Sequence, residues 1–217
     1  HLPEKYTRSY FLGAASANGE VSYGVEGVSE FLAGEIRAHD KSILEAVNFD
    51  GARVFEIGYG RGEAAKYAID RGASVYLGVD FSQDACQIAT EHLARFGFSD
   101  RGKFICADIV PFLENASEDH RFDVVLMLDV IEHIPRVEFD RLLSLLPRIM
   151  SERGIVVVNT PVYRHDNDVL ADGIDERNHA DALDLADFIP ETAGMHCNKY
   201  TLESLNASFA RCGFNCF

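Results

Sequence analysis

The feature that most constrains the fold is a short apolar segment that runs directly into three closely spaced glycines. Residues 54–57 are predicted to form a strand, Gly58, Gly60 and Gly62 a sharp turn, and the residues from Glu63 onward a helix. Glycine readily adopts the backbone conformations that a sharp turn needs, and its missing side chain lets a ligand lie against the main chain. The segment therefore indicates a ligand-binding turn between a strand and a helix.

An acidic residue stands at the end of the next predicted strand. Residues 74–79 form this strand, and Asp80 follows it directly. In nucleoside-binding α/β folds, a carboxylate about 20 residues beyond the glycine turn accepts hydrogen bonds from the ribose hydroxyls. The glycine turn and Asp80 together predict a nucleoside site.

The glycine spacing disfavours a dinucleotide. The pattern Gly-x-Gly-x-x-Gly would require a glycine at position 63, but that residue is Glu63 and the third glycine is Gly62. A pyrophosphate binds at a helix N-terminus because the free N–H groups and the helix dipole favour negative charge there. Glu63 would place a negative charge at this end, and Glu56 would place a second one nearby. We therefore expect a ligand without phosphate and with positive charge, such as S-adenosylmethionine (SAM).

Four segments between residues 54 and 161 support this expectation. They are Glu56-x-Gly58-x-Gly60-x-Gly62, Asp80, Cys106-Ala107-Asp108-Ile109, and residues 122–133, which end with Asp129-x-x-Glu132-His133. In this order and spacing they resemble the motifs of class I SAM-dependent methyltransferases. The resemblance implies a doubly wound, mostly parallel α/β sheet flanked by helices, with an insertion after the fifth strand.

The resemblance also implies that SAM is the cofactor. Asp80 matches the acid that binds the ribose, and Asp108 matches the acid that meets the adenine amino group. The implied cofactor-binding residues are Glu56, Gly58, Tyr59, Gly60, Asp80, Phe81, Asp108, Ile109, Leu128 and, in the leading segment, Tyr10.

The alternation of strands and helices predicts a parallel sheet. Strands are expected at residues 54–57, 74–79, 103–107, 122–128 and 155–159, and helices at 28–47, 61–71, 83–96, 139–149 and 201–212. Ser82 and Thr201 are predicted to be helix N-caps. Phe214 is expected to begin another strand. Because this family usually closes its sheet with two more strands, the chain looks either clipped or equipped with minimal last strands.

One methyltransferase domain is predicted over residues 1–217, a length that supports one substantial core. Residues 1–27 would form an N-terminal arm, with Tyr6 or Tyr10 as part of a lid over the cofactor. The acidic residues 162–196 would form an insertion over the substrate pocket. The alternatives are an arm that only covers apolar surface and a solvated acidic loop.

The amino-acid composition limits the binding partners and the cellular compartment that can be predicted for the chain. The net charge of −15 disfavours nucleic acid, whose backbone requires clustered Lys and Arg. The sequence has no apolar run near the roughly 20 residues of a membrane span, so no membrane partner is predicted. Five cysteines without a Cys-x-x-Cys pair indicate free thiols and a cytoplasmic location. The sequence does not indicate an oligomeric state.

His133 is the predicted catalytic base, because it follows the fourth strand at the carboxyl end of the sheet, where ligands bind. The alternative is a structural histidine. A metal site built from Asp129, Glu132 and His133 with His165 or His196 is a further alternative, since this arrangement is similar to that of the small-RNA 2′-O-methyltransferases. The preferred prediction contains no metal.

The function predicted from these features is methyl transfer from SAM to a small-molecule acceptor, at a hydroxyl oxygen. Three alternatives stay open: a metal-assisted RNA 2′-O-methyltransferase, a SAM-binding protein without catalysis, and an NAD-dependent oxidoreductase.

Overall fold

The structure is a computed structural model that describes residues 6–13, 27–117, 121–162 and 197–216. Five strands form one sheet: β1 (Arg53–Ile57), β2 (Val75–Asp80), β3 (Gly102–Cys106), β4 (Phe122–Leu128) and β5 (Met150–Asn159). Their order is β3-β2-β1-β4-β5, and each neighbouring pair is parallel. The predicted fold class, a doubly wound parallel sheet, is confirmed.

Helices connect and flank these strands. The described residues contain α1 (Arg8–Leu12), α2 (Val28–Ala33), α3 (Ala38–Leu44), α4 (Glu63–Asp70), α5 (Gln83–Arg95), α6 (Ile109–Glu114), α7 (Arg136–Leu145) and α8 (Leu202–Arg211). Short 3₁₀ turns lie at Ile131–His133 and Leu146–Arg148. No helix in these parts of the chain is long and apolar enough to cross a membrane.

The central strand β1 buries its side chains in two different clusters. Phe55 and Ile57 pack in a cluster that includes residues of α7 and α8. Val54 packs in a second cluster, which includes residues of α3 and α4. Side chains alternate between the two faces of a strand, so burial on both faces requires a nearly continuous apolar run. This is the pattern that predicted the central strands.

The strand order reverses at β1, because β2 pairs with one edge of this strand and β4 with the other. In open α/β sheets, the crevice at the carboxyl ends of the strands beside such a reversal is the usual ligand site. The residues that follow β1, β2 and β4 are therefore brought to one place.

Both predicted N-caps are confirmed by hydrogen bonds. The Ser82 hydroxyl accepts from the Ala85 N–H at 3.1 Å at the start of α5. The Thr201 hydroxyl accepts from the Ser204 N–H at 3.1 Å at the start of α8. These bonds satisfy backbone donors that a helix leaves unpaired in its first turn.

Two predictions about secondary structure are wrong. The helix expected at residues 28–47 is two helices, α2 and α3, because Gly34 ends α2 in the left-handed conformation. A side chain at this position would stand 2.3 Å from the Phe96 ring. Phe214 does not begin a strand among the described residues. Its N–H instead bonds to the Phe209 carbonyl, which continues the end of α8.

Candidate active site

A cleft of about 830 Å³, including volume open to solvent, lies at the carboxyl ends of β1, β2 and β4. It is lined by Tyr6, Tyr10 and Phe11 from the N-terminal segment; Ile57, Gly58 and Gly60; Val79, Asp80 and Phe81; Ala107, Asp108 and Ile109; Leu128, Asp129 and Val130; and His133, Ile134 and Glu138. The predicted site residues in this cleft are Tyr10, Gly58, Gly60, Asp80, Phe81, Asp108, Ile109, Leu128 and His133.

Asp80 joins the end of β2 to the glycine turn. One carboxylate oxygen accepts from the Gly60 N–H at 3.2 Å and the other from the Ser82 N–H at 2.9 Å. Burial raises the pKa of Asp80 to about 6, while these N–H groups act in the opposite direction. At neutral pH the carboxylate is therefore mostly ionised. Each oxygen retains acceptor capacity for a ribose hydroxyl.

The glycine turn has the backbone that its sequence predicts. Gly58, Gly60 and Gly62 have positive φ angles of 72°, 50° and 78°. A side chain at Gly62 would stand 2.8 Å from Ala89, so the third glycine lets α4 approach α5 closely. The first two glycines line the cleft instead.

Glu56 and Glu63 are both buried, but their charges differ from the prediction. Burial raises the pKa of Glu56 to about 8, although the Tyr76 hydroxyl donates to it at 2.5 Å. Glu56 is therefore mostly neutral at pH 7. Glu63 is paired with Arg61 at 2.9 Å. The expectation of two negative charges beside the glycine turn is therefore wrong, because Glu56 is neutral and Arg61 compensates the charge of Glu63. The Glu63 side chain still lies in the first turn of α4, and this position disfavours the binding of a pyrophosphate there.

Glu56 and Tyr59 lie outside the cleft lining that the described residues form. The Tyr59 ring packs on Phe104 at a centroid distance of 4.6 Å. Its hydroxyl donates to the Ile105 carbonyl at 3.3 Å. Tyr59 thus supports the sheet beneath the turn, and its assignment to the cofactor stays a prediction.

Asp108 and Phe81 lie on the wall formed by the ends of β2 and β3. The Asp108 carboxylate caps α6 by accepting from the Val110 N–H at 3.2 Å, and its side chain is otherwise exposed. The Phe81 ring lies edge-on to Tyr6 at 4.9 Å. Apolar Ile109 completes a surface on which a flat base such as adenine can pack.

Asp129 sits in a strained backbone position at the end of β4. Its φ angle is +51°, and it is the non-glycine residue in the described parts of the chain with positive φ. One carboxylate oxygen accepts from Arg37 at 2.9 Å and the other from Asn159 at 2.6 Å. The sequence did not reveal Arg37 and Asn159 as partners of Asp129, because these contacts join positions 92 and 30 residues apart.

Glu132 and His133 end up in different surroundings. His133 lines the cleft, with the Tyr6 ring edge-on at 6.2 Å. Glu132 is buried, accepts from the Thr160 hydroxyl at 3.0 Å, and has its pKa raised to about 7 by burial. Among the described residues, no group of three or more His, Cys, Asp and Glu side chains could hold a metal ion. His165 and His196 lie outside those residues.

The flanks of the acidic insertion are anchored beside the cleft. The N–H groups of Cys197 and Asn198 donate to the Glu132 carbonyl at 2.8 and 3.1 Å. Val162 forms an isolated bridge with Tyr200. Residues 163–196 themselves lie outside the described residues, so the predicted insertion over the pocket stays a prediction.

The described part of the N-terminal arm lies against α5. The Ser82 hydroxyl donates to the Tyr6 carbonyl at 2.8 Å, and the Arg8 N–H donates to Asp84 at 2.6 Å. Tyr6 and Tyr10 meet edge to face at 5.1 Å. These contacts bring both tyrosines to the cleft.

The family model of a methyltransferase domain matches residues 30–217. The ubiquinone biosynthesis O-methyltransferase of Neisseria meningitidis serogroup C is 32% identical over 85 residues, which cover 39% of this chain and 34% of that protein. The chain thus spans about a third of the length of this curated relative.

Solved structures share the fold. A SAM-dependent methyltransferase from Archaeoglobus fulgidus superposes with a TM-score of 0.60 at 21% identity, over 87% of this chain and 73% of that one. The mycolic acid cyclopropane synthase CmaA1, solved with S-adenosylhomocysteine (SAH), gives a TM-score of 0.62 at 15% identity, over 82% and 61%.

Proposed function

Because the chain belongs to the family of class I SAM-dependent methyltransferases, we propose that it transfers a methyl group from SAM to a small molecule, at a hydroxyl oxygen. The observation that carries this proposal is the shared cleft of Asp80 and His133. The Asp80 carboxylate can accept hydrogen bonds from a ribose, and the His133 imidazole can take a proton from the methyl acceptor.

The residues present fit the nucleoside part of SAM. Asp80 offers a buried carboxylate for the ribose hydroxyls, and Asp108 and Ile109 border the expected adenine position. Gly58 and Gly60 line the cleft without side chains, which leaves the main chain of the turn accessible to the ligand. When bound, SAM supplies an electrophilic methyl group.

The chain's own contribution to the reaction is alignment, exclusion of water and proton removal. Tyr6, Tyr10 and Phe11 form the side of the cleft that faces away from the sheet, and they shield the site from water. His133 accepts the acceptor's hydroxyl proton as the oxygen attacks. The nearby acid Glu138 and the pair of tyrosines border the space available to the acceptor.

The acceptor oxygen is inferred from the ubiquinone biosynthesis O-methyltransferases among the curated relatives, which also include a sterol 4-C-methyltransferase. The structural neighbours include a cyclopropane synthase, so the fold alone does not choose the acceptor atom. A cytoplasmic location is supported by the free thiols of Cys86, Cys106, Cys197, Cys212 and Cys216.

A methyl-transfer screen tests the proposal. The chain is incubated with methyl-labelled SAM and a panel of phenols, alcohols, amines and carboxylic acids, and labelled products are identified by mass spectrometry and NMR. We expect label on a hydroxyl oxygen. Label on nitrogen or carbon would overturn the oxygen assignment. SAM binding without any product would favour a non-catalytic SAM-binding protein.

A further inference from the structure

The glycine turn carries a buried ion pair that the proposed chemistry does not use. Arg61 has 0% of its surface exposed. Its Nε and Nη2 groups donate to the two carboxylate oxygens of Glu63 at 3.0 and 2.9 Å. Neither side chain belongs to the cleft lining that the described residues form, so the pair lies behind the turn.

Arg61 also reaches the N-terminal segment. Its Nη1 group points at the Phe11 carbonyl at 3.5 Å, at the C-terminal end of α1. Its guanidinium lies over the Phe31 ring of α2 at 5.5 Å. A side chain at Gly27 would stand 3.3 Å from Arg61 Nη2. One buried group thus contacts the turn and the helices α1 and α2.

Helix α1 cannot hold its position unaided. It is five residues long, far shorter than helices that are stable alone in water. Its N-terminal end is fixed to α5 through Tyr6 and Arg8. Its C-terminal end meets Arg61. Tyr10 and Phe11 of α1, and Tyr6 just before it, line the cleft, so the position of α1 affects the width of the cofactor site.

Stability alone does not explain the Arg61–Glu63 pair. Removing two charges from water costs several kcal/mol per ion, and replacing such a pair by apolar residues of similar size is often neutral or stabilising. The planar guanidinium does offer something that an apolar side chain lacks, a rigid fork that fixes direction. Glu63 accepts hydrogen bonds from Nε and Nη2 of Arg61, and Nη1 faces the Phe11 carbonyl of α1.

We propose that Arg61, oriented by Glu63, is a positioning residue that docks α1 over the cleft and thereby sets cofactor affinity. This inference rests on the proposed function only in naming the cofactor. If α1 is docked for a smaller fraction of the time, apparent affinity falls by that fraction. Turnover at saturating SAM is unaffected, since Arg61 touches neither reactant.

The test compares the wild-type chain with Arg61→Met/Glu63→Met, which removes both charges together. The control is Lys66→Met/Asp70→Met, which removes a partly exposed ion pair on α4 whose side chains are 2.6 Å apart. Three quantities are measured: the SAH dissociation constant, hydrogen exchange of the α1 amides such as Phe11 and Gly13, and the melting temperature.

The expected result for the Arg61 double variant is an SAH dissociation constant about tenfold higher, with faster exchange in α1 and unchanged exchange in β1. The control should behave like the wild type. Unchanged SAH affinity or unchanged α1 exchange in a folded variant would overturn the inference. If that variant does not fold, the same measurements are made on Arg61→Lys, which keeps the positive charge but lacks the planar guanidinium group. Failure of the wild type to bind SAH would overturn the proposed function instead, and α1 exchange would still decide the docking.

Discussion

Asp80 accepts a hydrogen bond from the Gly60 N–H at 3.2 Å, which ties the acid after β2 to the glycine turn after β1. The two features that the sequence separates by a helix are thus in direct contact. Asp80→Ala removes the carboxylate from both the turn and the expected ribose.

We expect Asp80→Ala to raise the SAH dissociation constant about 30-fold or more, since two charge-assisted hydrogen bonds contribute roughly 2–4 kcal/mol. Asp108→Ala is the matched control on the same wall. It should weaken binding less, because Asp108 is exposed. Calorimetry checks both. Equal affinities for the Asp80 variant and the wild type would show that this acid does not bind the ribose.

Stability should fall as pH rises, because of buried acids. Glu56 loses its proton near its usual pKa of 4.5 when unfolded, but the folded chain holds it to about pH 8. Between these values the folded state binds more protons, so its free energy of unfolding decreases with rising pH. Glu132 and Asp80 act in the same direction. Burial lowers the pKa of His92 to about 4, so this residue acts in the opposite direction below about pH 6.5, but the three acids outweigh it.

Urea unfolding at pH 5 and pH 8 measures this effect, and Glu56→Gln should flatten the pH dependence. The amide keeps an acceptor for the Tyr76 hydroxyl and cannot ionise. An equal change in unfolding free energy between pH 5 and pH 8 for the wild type and for Glu56→Gln would contradict the burial of neutral Glu56.

The strained position of Asp129 predicts a difference between two substitutions. Asparagine tolerates positive φ better than alanine does, and its amide oxygen can still accept from Arg37. Asp129→Ala should therefore destabilise the fold by about 1–3 kcal/mol more than Asp129→Asn does. Equal unfolding free energies for the two variants would mean that neither the strain nor the contact contributes.

The proposed role of His133 as the base can be tested once a methyl acceptor has been identified. His133→Ala should lower turnover by roughly 10²–10⁴-fold and leave SAH affinity nearly unchanged. His39→Ala is the control, since His39 is exposed and outside the described cleft lining. Loss of SAH binding in the His133 variant would assign this residue a structural role.

The sheet could be predicted because strands buried on both faces need apolar runs, which β1 and β4 display. The caps Ser82 and Thr201 could be predicted because each hydrogen bond joins positions three residues apart. Apolar runs and helix caps both depend on residues that are close together in the sequence. The order of motifs along the chain supplied the remaining topology.

The features that could not be predicted depend on distant contacts. Glu56 is neutral because burial raises its pKa, although the hydroxyl of Tyr76, 20 positions away, donates a hydrogen bond that acts in the opposite direction. Helix α1 exists because α5 holds it, so its five residues show no periodicity of their own. Gly34 ends α2 where the Phe96 ring approaches, a constraint that appears only after α5 is packed.

Calorimetric titration of the wild-type chain with SAH and, separately, with NAD tests whether the cleft binds SAM. We expect saturable SAH binding in the micromolar range or tighter, with one site per chain, and no heat of binding from NAD. Binding of NAD without binding of SAH would contradict the assignment of this cleft to SAM.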